Sequence, residues 1–288
     1  MKVEDIRKIG VLGTGTMGEG IAQAFAQYGF EVKLRSRSAP RVQSAVDEIK
    51  SRVQGLVARG KIKQEEADAI NARVKGTTSM EEIAKESDLV IDAFPEDLEL
   101  KKQVFKELDE LCLENAVLAT NTSTLSITEI ASVTKNPGRV IGVHFFNPAP
   151  IMKLVEIIPG LNTSSEITTI AKDLVTKLGK TPIEVRETSG FLINRLMAAY
   201  LNEAMYCLMR GVVKSPQDAD TAVKLGLSHP MGPFELMDLI GLDIVLSILD
   251  AIYEEEGDLK WRACPLLRKQ VRAGLLGRKT GKGWYEYK

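Results

Sequence analysis

The chain has 288 residues, 44% hydrophobic and 27% charged, with 38 Lys and Arg set against 39 Asp and Glu. This composition excludes a disordered chain and leaves no global basic field for nucleic acid. Three cysteines with no CxxC pair argue against a disulfide framework or a zinc site and fit a reducing compartment. No stretch approaches the roughly 20 apolar residues of a membrane span, and a strand-like run begins just after a short charged start, so a cytoplasmic protein without nucleic-acid or membrane partners is expected.

In chain order, Ile9 to Leu12 reads as a strand, Met17 to Tyr28 as a helix, Val32 to Arg35 as a second strand and Pro40 to Arg59 as a long amphipathic helix. Leu89 to Ala93, Ala116 to Thr120 and Val140 to His144 look like buried strands, separated by helical segments such as Leu98 to Cys112. Lys153 to Ile158 and Ile183 to Val185 are two more strand candidates, with a helix from Ser165 to Leu178 between them. Such alternation implies βαβ units and a mostly parallel sheet. After Glu187 the apolar period becomes helical, in Phe191 to Met209, Pro216 to Leu225, Phe234 to Tyr253 and Leu266 to Ala273. The expected class is α/β, with a Rossmann-type, mostly parallel sheet in residues 1–187 and an all-helical C-terminal domain in residues 188–288.

Between the first strand and first helix stands Gly13-Thr14-Gly15-Thr16-Met17-Gly18. In this setting the first glycine allows a tight turn, the second lets the backbone approach a pyrophosphate, and the third lets helix and strand pack closely. Amides at the helix N-terminus then face the phosphates. An NAD site commonly places Asp or Glu about 20 residues further on, for the ribose hydroxyls. Here that place reads Arg35-Ser36-Arg37. Ser36 can donate to a 2′-phosphate and Arg35 or Arg37 can supply charge-assisted contacts, so the sequence leans towards NADP over NAD. The other reading is a solvated loop whose arginines touch nothing.

A third cluster combines Asn121-Thr122-Ser123-Thr124-Leu125-Ser126 after one strand with His144-Phe145-Phe146-Asn147-Pro148 at the end of another. Glu156 follows twelve residues after His144, and Ser189-Gly190-Phe191-Leu192-Ile193-Asn194-Arg195 opens the helical region. The series resembles the L-3-hydroxyacyl-CoA dehydrogenase family, especially its short-chain 3-hydroxybutyryl-CoA members, from Ile9 to the final Gly277-Arg278-Lys279-Thr280-Gly281-Lys282-Gly283-Trp284-Tyr285.

The resemblance implies that His144 is the general acid/base, that Glu156 fixes its tautomer, and that Ser123 and Asn194 hydrogen-bond the substrate oxygen. It places Glu96, Lys101, Asn147 and Lys279 among the dinucleotide contacts, beside Gly13, Gly15, Thr16, Met17 and Gly18. It also implies a cleft between the domains, a short-chain acyl-CoA substrate and a homodimer formed through the helical domain. Arg52, Arg59, Lys61 and Lys63 form a basic stretch that could meet coenzyme A phosphates, Arg52 and Lys61 being the substrate candidates, or could be a solvated helix face. Ser123 or Thr124 could instead cap the next helix. The second histidine, His229, lies in the turn Ser228-His229-Pro230-Met231-Gly232-Pro233 and reads as architectural. Two other classes remain open: a β-hydroxyacid dehydrogenase acting on a free acid, which generally uses a lysine base, and a non-catalytic crystallin-like relative.

Overall fold

The computed structural model describes residues 2–287, and the chain divides after Glu187 into two units, each with its own apolar core. The first unit is built on eight strands: β1 (Lys8–Leu12), β2 (Glu31–Arg35), β3 (Val74–Thr77), β4 (Leu89–Asp92), β5 (Val117–Thr120), β6 (Val140–Phe145), β7 (Leu154–Pro159) and β8 (Thr181–Glu184). They form one sheet in the order β3-β2-β1-β4-β5-β6-β7-β8. All neighbours are parallel except β6 and β7, which run antiparallel with His144 opposite Glu156.

Burial explains the strand sequences. Every residue of β4, β5 and β6 is buried, as a strand covered on both faces requires, hence near-continuous runs such as Leu89-Val90-Ile91 and Val117-Leu118-Ala119. The mostly exposed β8 lies at the sheet edge and so tolerates Pro182. Strand order reverses between β1 and β4, and at such a switch point a crevice opens beyond the carboxyl ends of the strands.

Seven helices connect these strands: α1 (Thr16–Gln27), α2 (Ala39–Ala58), α3 (Gln64–Arg73), α4 (Met80–Glu86), α5 (Leu98–Leu111), α6 (Ile127–Ala131) and α7 (Ser165–Lys177). Side chains of Ser79, Asp97 and Ser164 cap α4, α5 and α7 by accepting from the amides of Glu82, Leu100 and Ile167. Phe25 of α1 meets Phe30 edge-on at 5.6 Å and Phe145 at 6.1 Å, tying α1 to the approach to β2 and to the end of β6. Each such ring pair contributes ~0.5–1.5 kcal/mol beyond area burial. The elements β3, α3, α4 and α6 are additional to those read from the sequence.

The second unit contains α8 (Ile193–Met209), α9 (Pro216–Gly226), α10 (Pro233–Ile240), α11 (Leu242–Glu256) and α12 (Pro265–Arg272). The sequence suggested one helix from Phe234 to Tyr253, but the chain breaks there at Gly241, whose φ of 105° only glycine adopts readily. Two buried carboxylates then hold the C-terminal strap. Asp238 accepts from the amides of Trp284 and Tyr285 and from the Tyr287 hydroxyl, each at 2.9 Å. Asp220 accepts from the Tyr285 hydroxyl at 2.6 Å and from the amides of Phe234 and Glu235. Among the described residues, no helix is long and apolar enough to cross a membrane.

Candidate active site

The first turn of the nucleotide crevice is shaped by steric demands on its glycines. Gly13 has φ 113°, and a Cβ there would come within 2.8 Å of the Ala93 carbonyl oxygen. On Gly18 a Cβ would fall 1.9 Å from the Gly13 carbonyl oxygen, so only glycine lets α1 start against the turn. Gly15 differs, because a Cβ there would meet nothing within 4 Å. The space above Gly15 is therefore open, and α1 begins at the exposed Thr16 and half-buried Met17 with no side-chain cap on its N-terminus. An uncapped helix start beside open space fits the pyrophosphate of a dinucleotide.

The β2 end lies directly alongside, since the Gly13 amide donates to the Arg35 carbonyl at 2.9 Å. Arg35 Nε donates to the Thr78 carbonyl at 3.3 Å, and burial holds its guanidinium pKa below the ordinary value while Glu107 pulls the other way. Ser36 is half-buried, its hydroxyl accepting weakly from the Ser38 amide at 3.4 Å, and Arg37 is exposed. Of the two arginines, Arg37 has the freer side chain.

Around His144 the geometry is tight. Its Nδ1 lies 2.8 Å from Glu156 Oε2 and its Nε2 lies 3.1 Å from Ser123 Oγ. Glu156 is completely buried and His144 is 4% exposed, so the pair is largely shielded from solvent. The Phe146 ring packs on the imidazole with centroids 4.6 Å apart. With Glu156 accepting from Nδ1–H, the neutral ring keeps its lone pair on Nε2, facing Ser123.

Further contacts fix the Ser123 loop. Glu96 accepts from the Ser123 amide through one carboxylate oxygen and from the Thr122 hydroxyl, at 2.7 Å, through the other. Asn121 Oδ1 accepts from the Phe145 amide at 2.8 Å, joining the end of β5 to the end of β6. Ser126, rather than Ser123 or Thr124, caps α6 by accepting from the Glu129 amide, which leaves the Ser123 hydroxyl directed at the imidazole.

Lys101, expected among the dinucleotide contacts, is enclosed in the first unit. Its Nζ lies 2.6 Å from Asp92 Oδ2 and 3.2 Å from the Phe94 carbonyl, with both side chains essentially inaccessible. Asp92 also accepts from the Thr120 hydroxyl and the Phe94 amide. This pair supports the β4 turn that carries Glu96, a role the sequence reading missed. The spacing of Asp92 at a strand end and Lys101 on the next helix was the available signal.

Asn147 is exposed just beyond β6. Arg52 is held on α2 by Glu19 at 2.9 Å and Gln23 at 3.1 Å, and lines a pocket of about 400 Å³ with Arg59 and residues 147–151. Lys61 is exposed in the turn after α2, away from that lining. Asn194 and Lys279 belong to the second unit: Asn194 is buried in the first turn of α8, and Lys279 pairs with Asp243 at 2.6 Å. His229 is exposed, with its ring edge-on to Tyr200.

Room for a pyrophosphate and a carboxylate-backed imidazole at the same end of one sheet are what hydride transfer at an oxygen-bearing carbon requires, so the class is a dinucleotide-dependent dehydrogenase. The chain belongs to the 3-hydroxyacyl-CoA dehydrogenase family: the family's NAD binding domain matches residues 8–188 and its C-terminal domain matches residues 190–287. A 3-hydroxybutyryl-CoA dehydrogenase of Clostridioides difficile is 48% identical over 281 residues, covering 97% of this chain and 99% of the relative. A probable 3-hydroxybutyryl-CoA dehydrogenase of Bacillus subtilis (strain 168) is 44% identical, covering 98% of each. The crystal structure of (S)-3-hydroxybutyryl-CoA dehydrogenase from Ralstonia eutropha superposes with a TM-score of 0.95 at 42% identity, covering 99% of this chain and all of the other.

Proposed function

We propose that the chain is a cytoplasmic 3-hydroxybutyryl-CoA dehydrogenase in which His144 carries the proton between substrate oxygen and solvent, and in which the cofactor is preferentially NADP. Full-length similarity to short-chain enzymes supports the substrate class. The single observation that carries the chemistry is the Ser123–His144–Glu156 chain of contacts.

When bound, the dinucleotide supplies or accepts the hydride at substrate C3. In the oxidative direction His144 Nε2 takes the hydroxyl proton as the carbonyl forms; in reduction the imidazolium returns it to the nascent alkoxide. Glu156 stabilises that imidazolium and holds the ring so that Nε2, not Nδ1, faces the substrate. Ser123, whose Oγ lies within hydrogen-bond distance of Nε2, is the proposed donor that orients the same oxygen, its hydroxyl proton turning from Nε2 to the substrate. Asn194 is the proposed second donor to that oxygen, and Glu96, Asn147 and Lys279 the proposed contacts to the dinucleotide. Assembly as a homodimer through the helical unit is part of the same reading.

The NADP preference rests on Ser36 and Arg37 standing where a ribose-binding carboxylate is usual. A carboxylate would repel a 2′-phosphate, whereas an exposed guanidinium and a hydroxyl attract it. Measured with acetoacetyl-CoA at one fixed concentration, kcat/KM should be about tenfold or more higher with NADPH than with NADH, as a charge-assisted hydrogen bond supplies. A clear preference for NADH overturns the cofactor proposal. Acetoacetate tested beside its CoA thioester separates this reading from a free-acid dehydrogenase, and absence of turnover with either would favour the non-catalytic class.

A further inference from the structure

We propose that Lys180 is a positioning residue for substrate binding, its buried ammonium holding the 148–152 loop as one wall of a pocket for the nucleotide end of the CoA thioester. The inference rests on the acyl-CoA reading above.

Lys180 follows α7 and is 7% exposed. Its Nζ reaches the carbonyl oxygens of Ala149 and Met152, each at 2.7 Å. Burial, and then the nearby charge of Lys153, push its pKa below the ordinary lysine value. A cation enclosed in this way is expensive to desolvate, and an apolar side chain of similar length would fill the volume without that cost. What the ammonium adds is a simultaneous grip on two carbonyls three residues apart.

The gripped loop is also fixed from the α1 side. Ala149 and Pro150 lie so close to Gly20 that a Cβ on this glycine would approach them to 3.3 and 3.4 Å. Asn147 to Ile151 then form one wall of the pocket of about 400 Å³, and Arg52, Leu56 and Arg59 line it from the α2 side. Arg59, with the Glu19-paired Arg52 beside it, lines the pocket opposite a partly apolar loop, which suits an anionic ligand with an organic body, the chemistry of a phosphorylated nucleotide. Lys180 is outside the pocket lining, so its effect on a ligand passes through the loop.

The test uses Lys180→Met and Lys180→Arg in steady-state reduction of acetoacetyl-CoA and of S-acetoacetyl-N-acetylcysteamine, which has the same reacting ketone but no nucleotide. Lys180→Met should raise KM for acetoacetyl-CoA about tenfold with kcat within about twofold, and leave KM for the truncated thioester unchanged. Lys180→Arg should restore most of the loss. If Lys180→Met does not fold, Lys180→Gln, which keeps a shorter donor, is read by the same criteria. Unchanged KM, or equal effects on both thioesters, overturns the inference while the acyl-CoA reading stands. A wild-type protein inert towards both thioesters overturns that reading and this inference with it.

Discussion

At the level of single residues, the imidazole of His144 is held by groups that come from other elements of the sheet. Glu156 comes from an antiparallel neighbour and Ser123 from the loop after β5. His144→Ala should cut turnover about 10²- to 10⁴-fold in steady-state assays, with little change in dinucleotide affinity measured by fluorescence titration. The tight glycine turn and the place of His144 at a strand end were legible because their motifs carry a local physical meaning. Lys101 was not legible in its supporting role: lysine is mostly exposed, and its buried partner Asp92 comes from a preceding strand end rather than the same helix face. Removing one member of a buried ion pair strands the other charge. Lys101→Met should therefore lower unfolding free energy by about 3–5 kcal/mol in urea titrations.

At the level of elements, strong apolar runs disclosed the central strands, while weak ones hid the periphery. β3 is only Val74-Lys75-Gly76-Thr77, an edge strand with one buried residue, and a Cβ on its exposed Gly76 would sit 2.2 Å from Val42 Cγ1. No alternation over four such residues distinguishes them from a loop. The break between α10 and α11 was hidden for a different reason: apolar periodicity continues through Gly241, and only the backbone reveals its positive φ. The tightest constraint is where α1 meets the glycine-rich turn. Gly18→Ala forces a methyl against the Gly13 carbonyl and should reduce stability by about 1–3 kcal/mol. Calorimetry without ligand would read that loss, and dinucleotide titration should show weaker binding as the turn moves.

For the whole molecule, a net charge of -1 conceals carboxylates and phenols whose surroundings make stability depend on pH at both ends of the scale. In the first unit, burial pushes Asp109 up, but the Lys135 amide and the Arg139 guanidinium outweigh it and leave its pKa below the ordinary value. That stabilisation is present above the unfolded aspartate pKa and is lost as pH falls through the lower folded value. In the second unit, burial and then the Asp238 carboxylate push Tyr287 up to about 12, and burial with Asp220 raises Tyr285 as well. Between about pH 10 and 12 an unfolded chain would release a Tyr287 proton that the folded chain retains, so stability falls as pH rises. Urea midpoints measured from pH 9.5 to 11.5 should decline, and the decline should be shallower in Tyr287→Phe.

The β6–β7 hairpin has a further consequence for how this family can vary. Because side chains alternate between sheet faces, a slip of one residue in the pairing of β6 with β7 would send the Glu156 carboxylate to the face opposite His144, and a slip of two would set Leu154 or Ile158 across from the imidazole. The connecting segment from 146 to 153 can thus lengthen or shorten over evolutionary time only if strand pairing is preserved. The proposed proton chemistry therefore depends on one strand register, a constraint on descent that no single residue carries.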